Sequence, residues 1–117
     1  MTAIQRLHPT VRMNQLVVHN GIAYTAGQVA QGNPGASIAV QTAEVLKRVD
    51  DLLAEAGTSK SRILTAYVYL ADIANFDDMN TAWDAWVAQD AKPARTTIEA
   101  KLTEPHFGVE IGVIAAI

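Results

Sequence analysis

From Gln15 to Ala26 two short apolar runs flank Asn20-Gly21. Asn-Gly is the favoured two-residue hairpin turn because both positions tolerate positive φ, so strands are expected at about 14–19 and 22–27. Gly27 closes the second strand, and Gly32-Asn33-Pro34-Gly35 reads as a loop. Ser37 is placed to cap a helix in which Thr42, Val45, Leu46, Val49, Leu52, Leu53 and Ala56 recur at the three-and-four spacing of one apolar stripe. Glu44, Lys47, Arg48, Asp50, Asp51 and Glu55 take the other face, and Gly57 suits the left-handed position just past the helix end.

The run Arg62 to Leu70 is rich in β-branched and aromatic residues and apolar at both parities, which predicts an interior strand covered on both faces. Asp72 or Asn75 then caps a second helix with a stripe of Phe76, Met79, Trp83 and Trp86, ending before Lys92-Pro93. Two last strands are expected at about 95–102 and 109–116. The order is β-β-α-β-α-β-β, an α+β sheet with both helices packed most economically on one face. Two helices cover only one side of such a sheet, so the other apolar side needs a partner, and copies of the same chain are the usual solution.

At 117 residues, half of them hydrophobic, the chain has room for one domain, residues 1–117, and enough core to need no staples. Cysteine is absent, which removes disulfides, thiolate nucleophiles and Cys-built zinc sites. Nothing at the start reads as a targeting segment and no apolar run approaches a membrane span, so a cytoplasmic location without membrane contact is expected. Nine Lys and Arg stand against twelve Asp and Glu, a net charge of −3 with no basic cluster, which argues against a nucleic-acid partner.

Little in the chain carries chemistry by pattern alone. Alternation from Arg95 to Leu102 puts Arg95, Thr97, Glu99 and Lys101 on one face. The plain reading of that face is a solvated edge. Arg95 cannot pair with Glu99 within the strand, because four residues separate them by about 13 Å, so its guanidinium needs another partner. A planar fork of donors suits bidentate capture of a carboxylate, from elsewhere in the chain or from a ligand. His8, His19 and His106 fall in unrelated segments without metal-binding spacing, so no metal site is expected. Trp83 and Trp86 continue an apolar stripe and read as packing, and the glycines form no nucleotide-binding motif.

Several runs together are more specific than any one. Ala23-Tyr24-Thr25-Ala26-Gly27-Gln28, Gln41-Thr42, Val68-Tyr69-Leu70-Ala71-Asp72 with Phe76, Met79-Asn80 and Trp83, and above all Pro93-Ala94-Arg95-Thr96 followed by Glu99, span nearly the whole chain. In order and spacing this set resembles the Rid (YjgF/YER057c/UK114) family of small trimeric proteins. The resemblance implies a chorismate-mutase-like fold, a homotrimer with a barrel-like core of three packed sheets, and a ligand cleft at each subunit interface. It implies that the arginine matching Arg95 holds the carboxylate of reactive 2-imino or 2-aminoacrylate acids, whose hydrolysis yields 2-oxo acids and ammonia without metal or cofactor. The glycine matching Gly27, the asparagine matching Asn80 and the backbone at Thr97 are expected to line the same cleft.

Departures from the family's pattern bear on the chemistry. Glu110-Ile111-Gly112 aligns with the archetype's E-I-E so that Gly112 falls where a water-orienting glutamate is expected, as in a subgroup lacking the archetypal catalytic glutamate. Glu110, two residues back, is displaced by about 6.6 Å on that alignment. Ala26 replaces a serine, and Met13 stands where an aromatic residue is expected. Two functions follow as alternatives: a trimer that binds small carboxylate metabolites and hydrolyses enamines or imines, and a non-catalytic small-molecule binding or sensing trimer.

Overall fold

Residues 3–117 are described by a computed structural model. Asn20 and Gly21 take φ of 51° and 74°, the paired left-handed geometry of a tight hairpin turn, and join β2 (Asn14–His19) to β3 (Ile22–Thr25). Two strands were not anticipated. β1 (Gln5–Pro9) pairs antiparallel with β2 although four of its five residues are exposed, and β4 (Gln28–Val29) is two residues long. α1 (Ile38–Glu55) begins where Ser37 Oγ accepts the Val40 amide. It ends in a Schellman closure, the Gly57 amide donating to Ala54 and the Thr58 amide to Leu53, with Gly57 at φ 81°. β5 (Ile63–Leu70), α2 (Phe76–Trp86), β6 (Ala94–Glu99) and β7 (Val109–Ala116) complete the chain. β6 stops three residues short of its expected end, and Asp72 caps a 3-10 turn at Ile73–Asn75 that leads into α2.

The sheet runs β1-β2-β3-β7-β5-β6, with β4 also paired to β7. β5 and β6 are parallel, joined across α2, and the other neighbours are antiparallel. Both helices lie on one face. Val45, Leu46, Val49 and Leu53 of α1 and Met79 and Trp83 of α2 share one core with Ala66, Val68 and Leu70 of β5 and the odd-numbered residues of β7.

The opposite face is open. Register aligns Tyr24 with Ile114, Tyr67 with Gly112 and Thr96, and Tyr69 with Ile98 on that side, and Tyr24, Tyr67 and Ile98 are 43%, 39% and 47% exposed. β5 is therefore an interior strand covered on one face only within the chain, not on both. Its apolar residues at the second parity form an uncovered surface instead. No helix among the described residues is long and apolar enough to cross a membrane.

A Cβ at Gly57 would meet nothing within 4 Å, so Gly57→Ala isolates the conformational term and is expected to lower stability by about 1–2 kcal/mol. Leu53→Ala, which empties a fully buried position, is expected to cost about 2–5 kcal/mol. Urea midpoints at fixed protein concentration check the order, and a Gly57→Ala loss as large as that of Leu53→Ala contradicts this account of the helix end.

Candidate functional site

β6 is the edge strand beside α2, and its register sets the site. Arg95, Thr97 and Glu99 lie opposite Ala66, Val68 and Leu70, so all three point to the helix-covered side. Arg95 is half-buried there, not solvated. Its Nη1 donates to Asn80 Oδ1 at 2.8 Å, and its guanidinium carbon lies 4.9 Å from the Trp83 ring centroid and 5.8 Å from that of Phe76. Phe76, Asn80 and Trp83 sit at i, i+4 and i+7 of α2, one stripe, so a single helix face supplies the whole cradle.

Among the described residues no carboxylate forms an ion pair with Arg95. Burial pulls its pKa below the ordinary value, against the through-space pull of Asp84 one turn further along α2. Thr97 Oγ1 is buried without a hydrogen-bond partner, and Glu99 Oε1 accepts the Ile73 amide at 3.0 Å, fixing the turn into α2. Asn80 thus serves Arg95 directly, and the expected trio of Arg95, Asn80 and Thr97 is brought together.

Gly27 is not with them. It stands beside β4, three strand spacings or about 14 Å across the sheet from β6. There it packs under the Glu110 side chain, whose carboxyl carbon would lie 2.8 Å from a Cβ on Gly27. Gln28 Nε2 donates to Gln15 Oε1 at 2.8 Å alongside, and these residues with Met13 line a cavity of about 710 Å³ that reaches α1. Glu110 aligns with Tyr69 and Tyr69 with Ile98, so its side chain faces the side opposite Arg95. Desolvation raises the Glu110 pKa above the ordinary carboxylate value. A Cβ at Gly112 would make only ordinary 3.6 Å contacts with Gly27 and Thr25, so sterics do not require glycine there.

The histidines are dispersed. His8 contacts Glu55, His106 stacks edge-on against Phe107, and His19 ends β2. No group of three His, Asp or Glu side chains among the described residues is placed to hold a metal.

The profile of the family described as endoribonuclease L-PSP matches residues 3–117. A RutC family protein of Haemophilus influenzae is 46% identical over 112 residues, covering 96% of this chain and 97% of its own. Solved structures agree: a YjgF family member from Neisseria meningitidis superposes with a TM-score of 0.94 at 38% identity, covering 97% of this chain and 94% of that one. A protein of the conserved Rid family from Yersinia pestis superposes at 0.85 with 31% identity, over 93% and 90% of the two chains. The chain belongs to the Rid (YjgF/UK114) family.

Within that Rid fold, two features escape a reading of the sequence: the second role of Trp83, beside Arg95, and the Glu110 carboxyl on the opposite face. Trp83 was assigned to packing, which is right for its 6% exposure, yet its ring face also carries the guanidinium. Glu110 was set aside on spacing. The signal for it lay elsewhere, in a single charged residue within the otherwise apolar strand Val-Glu-Ile-Gly-Val-Ile-Ala-Ala.

A carboxyl whose folded pKa is raised keeps its proton in the folded chain after the unfolded chain has released it. Stability therefore falls as pH rises from the ordinary carboxylate range through the folded value of Glu110, then levels. Glu110→Gln is expected to remove that decline, so the melting temperature of the variant gains on that of the parent across this window. Parallel melting curves against pH overturn the assignment.

Proposed function

We propose that the chain forms a homotrimer that binds small carboxylate-bearing metabolites at its subunit interfaces through Arg95. In this reading it hydrolyses reactive enamine or imine intermediates to 2-oxo acids and ammonia. The observation that carries this reading is the half-buried Arg95 guanidinium, held by Asn80 and Trp83 and, among the described residues, in no ion pair with a carboxylate. A guanidinium has five donors and Asn80 engages one, which leaves a fork for a bidentate carboxylate. Family membership supports a role of this general kind.

The chemistry asks for positioning more than for a strong nucleophile. With the carboxylate fixed, water adds its oxygen to the adjacent imine carbon, a proton moves to nitrogen, the carbon–nitrogen bond breaks, and ammonia leaves as the carbonyl forms. A carboxyl with a raised pKa suits the proton transfers, and Glu110 is such a group. Because Glu110 and Gly27 lie across the sheet from Arg95, Asn80 and Thr97, a cleft lined by all five takes one set from each of two copies. No metal or organic cofactor enters this scheme.

The alternative is a trimer that binds without turnover. Ala26 favours it, because a methyl there offers no hydroxyl to a bound water. So does the completeness of the Arg95 cradle within one chain, since binding alone does not call on Glu110. The endoribonuclease activity in the family description is not carried over, because the chain has a net charge of −3 and no basic cluster.

Arg95→Ala is expected to weaken binding of 2-oxobutanoate about 100-fold, the loss of two charge-assisted hydrogen bonds, while the sedimentation coefficient stays that of the parent assembly. Arg95→Lys, which keeps the charge and loses the fork, is expected to fall between. Unchanged carboxylate affinity in Arg95→Ala removes the anchor from the proposal. Turnover is read from the decay of 2-iminopropanoate generated in the cuvette. Acceleration over buffer that disappears in Arg95→Ala supports hydrolysis, and no acceleration leaves the binding reading.

A further inference from the structure

The turn between β2 and β3 joins an asparagine to the one residue type whose backbone nitrogen no side chain of its own shields. Asn20 and Gly21 are both exposed, at φ 51° and 74°. The last ladder pair of the hairpin is His19 with Ile22, so Gly21 belongs to neither strand and its amide stands outside the ladder. A Cβ built on Gly21 would meet nothing within 4 Å, so no neighbouring group crowds this peptide either.

The four other asparagines are placed differently. Asn33 precedes Pro34, whose nitrogen carries no hydrogen to give up. Asn14, Asn75 and Asn80 precede Gln15, Phe76 and Thr81, whose side chains hinder the following nitrogen and which lie within β2 and α2. Asn80 is also engaged, its Oδ1 accepting from Arg95.

We propose that Asn20 is a site of covalent self-modification, in which the Gly21 nitrogen attacks the Asn20 side-chain carbonyl carbon Cγ. The Cγ–Nδ2 bond breaks, ammonia leaves with the proton given up by Gly21, and a five-membered succinimide remains. Water then opens the ring. Addition at Cγ restores the original backbone with aspartate at position 20, whereas addition at the main-chain carbonyl reroutes the chain through the former side chain as isoaspartate. Water is the one co-reactant, and no oxidant or reductant takes part.

The two products differ in what they do to the fold. Aspartate suits the same turn, since Asp-Gly and Asn-Gly both favour it. Isoaspartate lengthens the backbone by one methylene, and the two-residue turn no longer closes in register. The Gly21 carbonyl accepts the Ile117 amide at 2.9 Å and Ile22 aligns with Ala116, so this turn also fastens the end of β7. Isoaspartate therefore loosens the junction of β3 and β7, and either product adds a negative charge to a chain of net charge −3.

The test is incubation of the intact folded protein in mildly acidic and mildly alkaline buffer, followed by digestion and mass spectrometry of the peptides that hold each asparagine. The Asn20 peptide is expected to gain about 1 Da and to split into two isomers, about tenfold or more faster than any other asparagine peptide. Conversion is expected to be faster in the alkaline buffer, because attack needs the deprotonated Gly21 nitrogen. Asn20→Asp is expected to match the fresh parent in melting temperature and in hydrogen exchange at the Ile117 amide. The isoaspartate fraction, separated by chromatography, is expected to melt lower and to exchange that amide severalfold faster.

No conversion in the folded protein, an equal rate at another asparagine, or aspartate formed without isoaspartate each overturns the assignment. So does a mass gain that persists in Asn20→Gly, a variant that keeps a turn-forming pair, because it would belong to another residue of the same peptide such as Gln15. An isoaspartate fraction that melts and exchanges like the parent overturns the proposed loosening of β7.

Discussion

A guanidinium drawn half out of water, in ion-pair contact with no carboxylate among the described residues, is the constraint on which the rest of the site depends. Arginine does not escape the desolvation penalty by losing its proton, because its intrinsic pKa is too high. The penalty has to be met by neighbours. Here it is met by one amide oxygen from Asn80 and by the negative faces of Trp83 and Phe76, contacts worth about 0.5–2 kcal/mol each when partly desolvated. These neighbours hold the charge without neutralising it. A salt bridge would have quenched the field that a ligand anion needs, whereas an amide and two aromatic rings leave the charge and most of its donors available.

That arrangement links the site to the core through one residue. Trp83 is buried with Met79 against the same cluster that joins α1 to β5 and β7, and its ring also lies under Arg95. The edge of the guanidinium cradle is therefore as rigid as the hydrophobic core, while Phe76, earlier on the same stripe, is left exposed. Parallel pairing of β6 with β5 does the rest, because it fixes Arg95 and Thr97 on the helix side in register with Ala66 and Val68. Geometry of this kind preorganises donors before a ligand arrives, which is where binding sites gain most of their selectivity.

Most of this was legible where local chemistry and burial agree. α1 is bounded by a side-chain cap and a left-handed glycine and β7 by an apolar run interrupted only by Glu110 and Gly112, and the expected ranges match both to within a residue or two. β1 was missed because a strand with a single half-buried residue, Leu7, has no hydrophobic signature, and it is held by pairing to β2. β6 was drawn too long because alternation continues through Lys101, although the partner strand β5 ends at Leu70. Arg95 stood out as a charge without a partner in sequence. Its cradle did not, since helical spacing reports that Phe76, Asn80 and Trp83 share a stripe but not that an arginine from another element lies across it. The separation of Gly27 from Arg95 was likewise invisible, because strand order, and with it the distance between segments, is not written in periodicity.

The open face and the divided site are two aspects of one geometry. β1 carries Arg6, His8 and Pro9, which discourage pairing of that edge with another sheet. In the homotrimer proposed above, copies would pack on the open face, where Tyr24, Tyr67 and Ile98 project and where Gly112 carries no side chain. Large and small residues adjacent on one surface are what self-complementary packing uses. Glu110 is the charged residue of β7 on that same face, and desolvation within the single chain already raises its pKa above the ordinary carboxylate value. The Arg95 guanidinium lies on the other side of the pleat, at the β6 edge. The arginine and the carboxyl with the raised pKa therefore stand on opposite faces of one chain, which is why the cleft proposed above draws them from two copies.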